Sequence, residues 1–349
     1  MKRIIALLLC LMLALPALSF AEEEKVLNIL SWLGYVDDET LADFETETGI
    51  KVVWSPMESN ESMLLKLSQG GAAEYDLVLA SDYALDVLRQ QGLIQKLDLS
   101  KLSNYANLDE SFLNQSYDPA NEYVIPYMAG CPLIIYDSEK VPFEITSYAD
   151  LWDERLKDNV SILDNARVTC GITLKTMGKS INETDPAVLE QMKAKLMSLR
   201  PNIRTANDTE SYTAIATGDA NVGFLFTPYV FMVQNDRETN KLPLMKVVYP
   251  KEGLGFGVDG LVIPASAPHT SNAHLFLDFL MRPDVAAHNA ESQMYMCVNK
   301  AATDYLSAQY LENPIFNVPS DLLNNAEMVQ NVGTTDTLYQ EIYTAFINQ

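Results

Sequence analysis

Histidine and positive charge are the scarcest resources in this sequence. The three histidines, His269, His274 and His288, include no pair at i, i+4 spacing, so a helical metal site built on them is not expected. Lysine and arginine number 24 against 47 aspartates and glutamates, for a net charge of −23. So acidic a surface argues against nucleic acid or an anionic membrane as partner and is compatible with a cationic ligand. Cysteine is sparse too, with four in 349 residues. Cys131, Cys170 and Cys297 lie in largely apolar surroundings and read as buried small hydrophobes, and they allow at most one disulfide. This is not a disulfide scaffold. Phosphate-binding G-x-x-x-x-G-K-[ST] and nucleophile-elbow G-x-S-x-G patterns are both missing. Gly255, Gly257 and Gly260 do fit G-x-G-x-x-G, but "LVIPASAP" follows where a dinucleotide site needs a helix. No cofactor and no metal are expected.

Near the amino terminus an uncharged run, Ile4 to Phe20, is preceded by Lys2 and Arg3 and closes in Ser19-Phe20-Ala21. Its strongly apolar part is about a dozen residues, short of the roughly 20 that span a bilayer. It reads as a secretory signal peptide, residues 1–21, cut after Ala21, with export to the periplasm or another extracytoplasmic space. Cys10 lies inside the apolar core behind Leu9 and does not fit a lipoprotein site.

From Val26 onward, apolar runs alternate with amphipathic segments. "VLNIL", "KVVW", "YDLVLAS" and "LIQKLD" read as strands. "DDETLADFETETG" has Asp37 or Asp38 as N-cap and Gly49 as stop, and "SNESMLLKLSQGG" and "YALDVLRQQG" read as further helices. The later chain continues in the same style, with strands at "YVIPYMAG", "CPLIIYDS", "VSILD", "NVGFLF", "LMKVVYP" and "GLVIP". Helices follow at "ARVTCGITLKTMG", "DPAVLEQMKAKLMSL", "NAHLFLDFLMR" and "PDVAAHNAESQ". There is no internal repeat or low-complexity linker. Length and alternation predict an α/β protein of two lobes, each a mostly parallel sheet flanked by helices.

Ligands of open α/β sheets bind beyond the carboxyl ends of strands. Trp32 and Tyr35 lie past one such end and Ser81-Asp82-Tyr83 past another, with Asp164-Asn165, Phe226-Thr227 and Asp259 at later ends. Aromatic faces and carboxylates suit an organic ammonium, each ring contributing ~0.5–2 kcal/mol. The same residues also suit a core with capped helices, and the pattern alone leaves both open.

An ordered set of segments, "SWLGYV", "FETETGIKV", "ESNESM", "YDLVLASDY", "IQKLDLSKLSN", "VIPYMAG", "YADLW", "PKEG" and "FLMRPDVA", resembles the substrate-binding proteins of polyamine (spermidine/putrescine) ABC importers over essentially the whole chain after the leader. The resemblance implies a type II clamshell. Its first lobe would comprise residues 22–132 plus roughly 256–302, and its second roughly 133–255 plus 303–349, with the ligand in the cleft. It further implies an aromatic box of Trp32, Tyr35, Tyr83, Phe226 and Tyr295, a cleft serine at Ser81, an amine-pairing acid at Asp259, and Gln330 as a cleft glutamine after a one-residue shift. The chain departs from the family pattern at Leu33-Gly34 after the first strand, at Asn165 and Val168 where amine-binding acids are usual, and at Gly257. A linear polyamine needs a second anion, expected from Asp82, with Asp164 or Asp208 as alternatives. The expected function is capture of a polyamine and its delivery, by a monomer, to a membrane ABC permease. Alternatives are another small organic solute such as a monoamine, amino-acid derivative or opine, for which Arg167 is the residue to inspect, and an enzyme on the same fold using Cys131 or Cys170.

Overall fold

The computed structural model describes residues 24–319, 322–323 and 326–348, without the side chain of Phe256. The expected leader, residues 1–21, lies outside the described residues. Among the described residues, no helix is long and apolar enough to cross a membrane.

The first sheet is built from β1 (Val26–Ser31), β2 (Lys51–Pro56), β3 (Leu77–Ser81), β4 (Ile125–Gly130), β10 (Gly255–Val262), β11 (Met296–Cys297) and β12 (Glu327–Met328), in the order β11-β4-β10-β3-β1-β2 with β12 beside β10. The second contains β5 (Leu133–Tyr136), β6 (Val160–Ile162), β7 (Ile203–Ala206), β8 (Val222–Leu225) and β9 (Lys246–Val248), in the order β7-β6-β8-β5-β9. β3 is buried along nearly its whole length, as a run of apolar residues covered on both faces must be. β2 alternates between exposed and half-buried positions and ends in Pro56, as an edge strand can.

Helices begin and end where side chains dictate. α1 (Asp38–Thr48) is capped by the Asp37 carboxylate on the Glu39 amide and stops at Gly49, whose φ of 69° suits a residue without Cβ. α2 (Asn60–Ser68) carries a capping box between Ser59 and Ser62. α3 (Asp82–Gln90) follows β3 directly. α4 (Ala166–Lys175) is capped by Asn165. α5 (Pro186–Leu199), α6 (Asp208–Thr217), α7 (Thr227–Thr239), α8 (Thr270–Leu280), α9 (Pro283–Gln293), α10 (Ala308–Glu312) and α11 (Thr335–Ile347) follow along the chain. Pro283 takes the first turn of α9 and so separates it from α8. "LIQKLD" makes only an isolated bridge, Ile94 to Pro264.

Both sheets are mixed where the sequence suggested mostly parallel ones. β2, β1 and β3 are parallel, as are β7, β6 and β8, whereas β10 is antiparallel to β3 and β4, and β5 to β8 and β9. The reason is where the chain changes sheets. Strands within the βα units of each sheet end at the junction. A strand that has just crossed must run away from it. Two residues separate β5 from the end of β4, and six separate β10 from β9. Asp259 therefore reaches the junction from the middle of β10 rather than from a strand's carboxyl end.

The carboxy-terminal helix packs on the second sheet's side, with Tyr339, Ile342, Tyr343 and Phe346 in one cluster with Cys170 and Leu174. Residues 307–316 straddle the junction. The Tyr310 hydroxyl donates to the Tyr295 carbonyl at 2.6 Å and its ring stacks on Phe316, which in turn meets Phe231 of α7.

The register of β10 breaks between Asp259 and Gly260, and a bulge of this kind re-aims a side chain. Gly260 is held by packing: a Cβ there would lie 2.5 Å from Val124 Cγ1 and 3.1 Å from Leu85 Cδ1. Gly260→Ala is expected to destabilise the fold by about 1–3 kcal/mol, read from its denaturant midpoint.

Candidate functional site

The junction encloses a cavity of about 650 Å3 lined from both sheets. Trp32 and Tyr35 follow β1. Their rings meet edge to face at 5.5 Å, and Tyr35 makes similar contacts with Tyr295 at 5.6 Å and Tyr127 at 5.9 Å. The Trp54 indole donates to the Trp32 carbonyl at 3.2 Å and the Tyr127 hydroxyl to the Tyr35 carbonyl at 3.0 Å, which fixes the loop that carries both rings. Tyr83 opens α3 and donates to Glu61 at 2.9 Å. Phe226 precedes α7 and comes from the opposite side. Gly130 makes room for Tyr295, since a Cβ would sit 3.1 Å from its ring.

Asp259 and Asp82 form the acidic floor on the first sheet. Asp259 pairs in register with Ser81, one residue before Asp82. The Tyr35 hydroxyl donates to Asp259 Oδ2 at 2.5 Å. Ser81 is itself clamped by Asn60, which donates to its hydroxyl and accepts from its amide, both at 3.2 Å. Burial raises the Asp259 pKa, and hydrogen bonds from Tyr35 and Ser81 oppose the rise. Asp82 is only 4% exposed. Its Oδ1 accepts the Tyr83 amide at 2.7 Å, while Oδ2 is buried without a partner. Burial pushes its pKa up to about 8; the Tyr83 amide opposes this, and the neighbouring Asp259 adds to it. The Val258 amide also pulls the pKa down, from a position outside hydrogen-bond geometry to Oδ2.

Asp164 and Asp208 line the second sheet's side. The Asp164 amide donates to Asp208 at 3.0 Å and the Tyr343 hydroxyl to the Asp164 carboxylate at 2.9 Å. Burial raises the Asp208 pKa, the hydrogen bond from the Asp164 amide opposes the rise, and the Asp164 carboxylate adds to it. Altogether six carboxylates line the cavity, Glu58, Glu61, Asp82, Asp164, Asp208 and Asp259, against two basic residues, Arg167 and Lys175. Both bases are already paired. Lys175 bridges Glu327 at 3.0 Å. The buried Arg167 guanidinium reaches Asp336 at 3.2 Å, the Gln330 carbonyl at 3.0 Å and Asn182 at 2.9 Å, over the ring of Tyr339. The lining is thus strongly anionic.

Nine of the ten residues named from the sequence line this cavity: Trp32, Tyr35, Ser81, Asp82, Tyr83, Asn165, Phe226, Asp259 and Tyr295. Gln330 does not. Its side chain is exposed, its backbone is held by Asn182 and Arg167, and the preceding Val329 takes the place on the wall. Asn165 lines the cavity with its side-chain oxygen committed to the Val168 amide at 3.0 Å. Tyr148, Tyr229, Gln340 and Tyr343 also line it. Gln340 and Tyr343 sit on α11, where the amphipathic spacing gives no hint that one edge of the helix meets a cleft.

The remaining candidates lie apart from this chemistry. Cys131, Cys170 and Cys297 are all free. Burial raises the thiols of Cys131 and Cys170 to about 12 and that of Cys297 to about 11, far from a nucleophilic thiolate at neutral pH. His288 does approach Asp37, at 3.1 Å, and Glu39, at 4.0 Å. That group sits at the start of α1 outside the cavity lining, and Asp37 is engaged there in capping the helix.

Residues 39–318 match the family model of bacterial extracellular solute-binding proteins. The chain belongs to that family. This solute-binding protein is 36% identical over 324 residues to the spermidine/putrescine-binding periplasmic protein of Escherichia coli, covering 93% of this chain and 92% of that protein. It is 34% identical over 326 residues to the putrescine-binding periplasmic protein PotF of the same organism, covering 89% and 88%. Among solved structures, the spermidine/putrescine ABC transporter substrate-binding protein PotD of Streptococcus pneumoniae superposes with a TM-score of 0.80 at 30% identity, over 92% of this chain and 98% of that one. The two-lobed type II fold and the extracytoplasmic setting follow from these matches.

The raised pKa of Asp82 has a consequence for stability. Its folded pKa of about 8 lies above the reference value of 3.8, so folding favours the neutral acid. The associated stability is complete below pH ~4 and is lost as the pH climbs towards 8. The ligand-free protein is expected to melt several degrees lower at pH 8 than at pH 5. Asp82→Asn should flatten that difference and raise the melting temperature at pH 8, as scanning calorimetry without ligand will measure.

Proposed function

We propose that this protein captures a linear polyamine of the putrescine or spermidine type in the cleft and delivers it, as a monomer, to an ABC importer in the membrane. The observation that carries this reading is the cavity's charge: carboxylates from both sheets, aromatic walls between them, and no unpaired base in the lining. A buried ammonium without a counter-charge is strongly disfavoured. A chain with ammonium groups at both ends therefore fits a cleft with acids at both sides. Asp259 takes one ammonium; because Asp82 adjoins Asp259 on the same side, the second anion is supplied by Asp164 and Asp208 rather than by Asp82 as the sequence suggested, and Trp32, Tyr35, Tyr83, Phe226 and Tyr295 enclose the methylenes between them. The lobes on this reading are those expected from the sequence, residues 22–132 plus roughly 256–302 and roughly 133–255 plus 303–349, hinged where the chain crosses the junction, except that β12 returns to pair with β10 of the first sheet and Tyr310, Ile315, Phe316 and Val318 pack with the first sheet's core. Ligand stabilises the closed arrangement.

An amino-acid derivative or opine fits less well, because its carboxylate needs a free cation and Arg167 is occupied by Asp336, Asn182 and the Gln330 carbonyl. Catalysis is not part of the proposal, since the buried thiols have no activating base in the geometry described above.

Calorimetric titration with putrescine, spermidine, a monoamine of equal length and a zwitterionic amino acid tests the reading. The two polyamines are expected to bind at least tenfold more tightly than the monoamine, and the zwitterion not measurably. Asp259→Asn should cost ~3–5 kcal/mol, more than a hundredfold in affinity, and Trp32→Ala about tenfold. Undiminished binding in Asp259→Asn, or preference for the zwitterion, would refute the assignment.

A further inference from the structure

Asp82 is the unusual member of the acidic lining. Asp164 accepts a tyrosine hydroxyl, Asp208 accepts a backbone amide, and Asp259 accepts the Tyr35 hydroxyl. Asp82 Oδ2 has nothing, although a buried polar oxygen without a partner is costly. Asp82 lines the cavity, and this oxygen lies just beneath the cavity surface beside Gly257, where a Cβ would lie 3.7 Å from it and narrow the approach. A second carboxylate, Asp259, adjoins it across β3 and β10.

We propose that Asp82 is the proton-linked half of the ligand site: it is neutral in the empty cleft and ionises when an ammonium group of the ligand settles against Oδ2, so that each captured cation expels one proton. The inference rests on the cationic ligand proposed above and concerns which carboxyl responds to it.

The groups around Asp82 agree with this. On its own helix the Tyr83 amide favours the anion, as the start of a helix does. From β10, Asp259 opposes a second charge and the Val258 amide assists it. From α4, Arg167 acts in favour of the anion, but its guanidinium is shared with Asp336. From the loop before β4, Tyr117 is buried and its hydroxyl titrates far above the neutral range, so it contributes no charge. Desolvation outweighs the favourable contributions and leaves the acid protonated up to about pH 8.

An arriving ammonium reverses the balance. It keeps its own protons, since an alkylammonium titrates near 10, donates one N–H to Oδ2 and another to Asp259, and supplies the missing charge. The Asp82 O–H bond breaks heterolytically, and its proton leaves to the buffer. No other atom changes hands.

The test is calorimetry on the full exported chain with putrescine and spermidine at pH 6, 7 and 8, each in phosphate and in Tris, whose ionisation enthalpies differ widely. The expected result is release of about one proton per cation at pH 6 and 7, declining above 8, with affinity tightening by about tenfold per pH unit below 8. Asp82→Asn should still bind, more weakly, with no proton release and no such pH slope. Buffer-independent binding enthalpy in the unmodified protein would overturn the inference while leaving the polyamine reading intact. Proton release that persists in Asp82→Asn would assign the proton elsewhere and overturn it equally. Failure of both polyamines to bind at all would remove the ligand reading and this inference together.

Discussion

A buried carboxylate beside a half-buried one, at one corner of a cleft, sets the terms for the rest of this molecule. Asp82 and Asp259 are neighbours because β10 runs antiparallel to β3 with Asp259 opposite Ser81, and neither is offset by an unpaired base in the lining. In bulk water such a pair would repel weakly. In a desolvated cleft the repulsion and the lost hydration both grow. The cleft therefore stays partly neutralised by protons until a positive ligand arrives. Stability forgone at the site is supplied by continuous apolar packing on both sheets, where β3, β5 and β8 are buried at nearly every position.

The arrangement depends on how the chain moves between sheets. Because β5 and β10 begin at the junction, the strands that approach the cavity and those that leave it lie side by side. Acids and rings from distant parts of the sequence thus converge on one cavity. A ligand that bridges the two sides interacts with both sheets at once. Its affinity for the arrangement in which they approach each other exceeds that for any other, which is the condition for a ligand to shift such an equilibrium.

What the sequence disclosed follows from the period of its elements. The ends of β1, β3, β6 and β8 are legible because each is an apolar run followed closely by a helical pattern, capped by Asp37 after β1 and by Asn165 after β6, and Trp32, Ser81, Asp82, Tyr83, Asn165 and Phe226 follow from those ends. β7 is not legible: it has four residues, one of them the exposed Arg204, so it lacks a strand's signature, and Asp208 carries no strand-end signal. The antiparallel course of β10 was equally hidden, since direction within a sheet depends on where the chain crosses and not on local pattern. Gln330 failed for another reason. It lies just past β12, where Val329 lines the cavity and Gln330 is exposed, so a shift of one residue exchanges the two. The family resemblance supplied Tyr295 and the role of Asp259, which no local pattern would have assigned.

The most direct test of the account is a crystal structure of the protein with putrescine bound. The account places one nitrogen within hydrogen-bond distance of both Asp259 and Asp82 Oδ2, the other near Asp164 and Asp208, and the methylenes between the rings of Trp32 and Tyr295. A diamine lying outside this cavity, or one whose nitrogens avoid both Asp82 and Asp259, would contradict it.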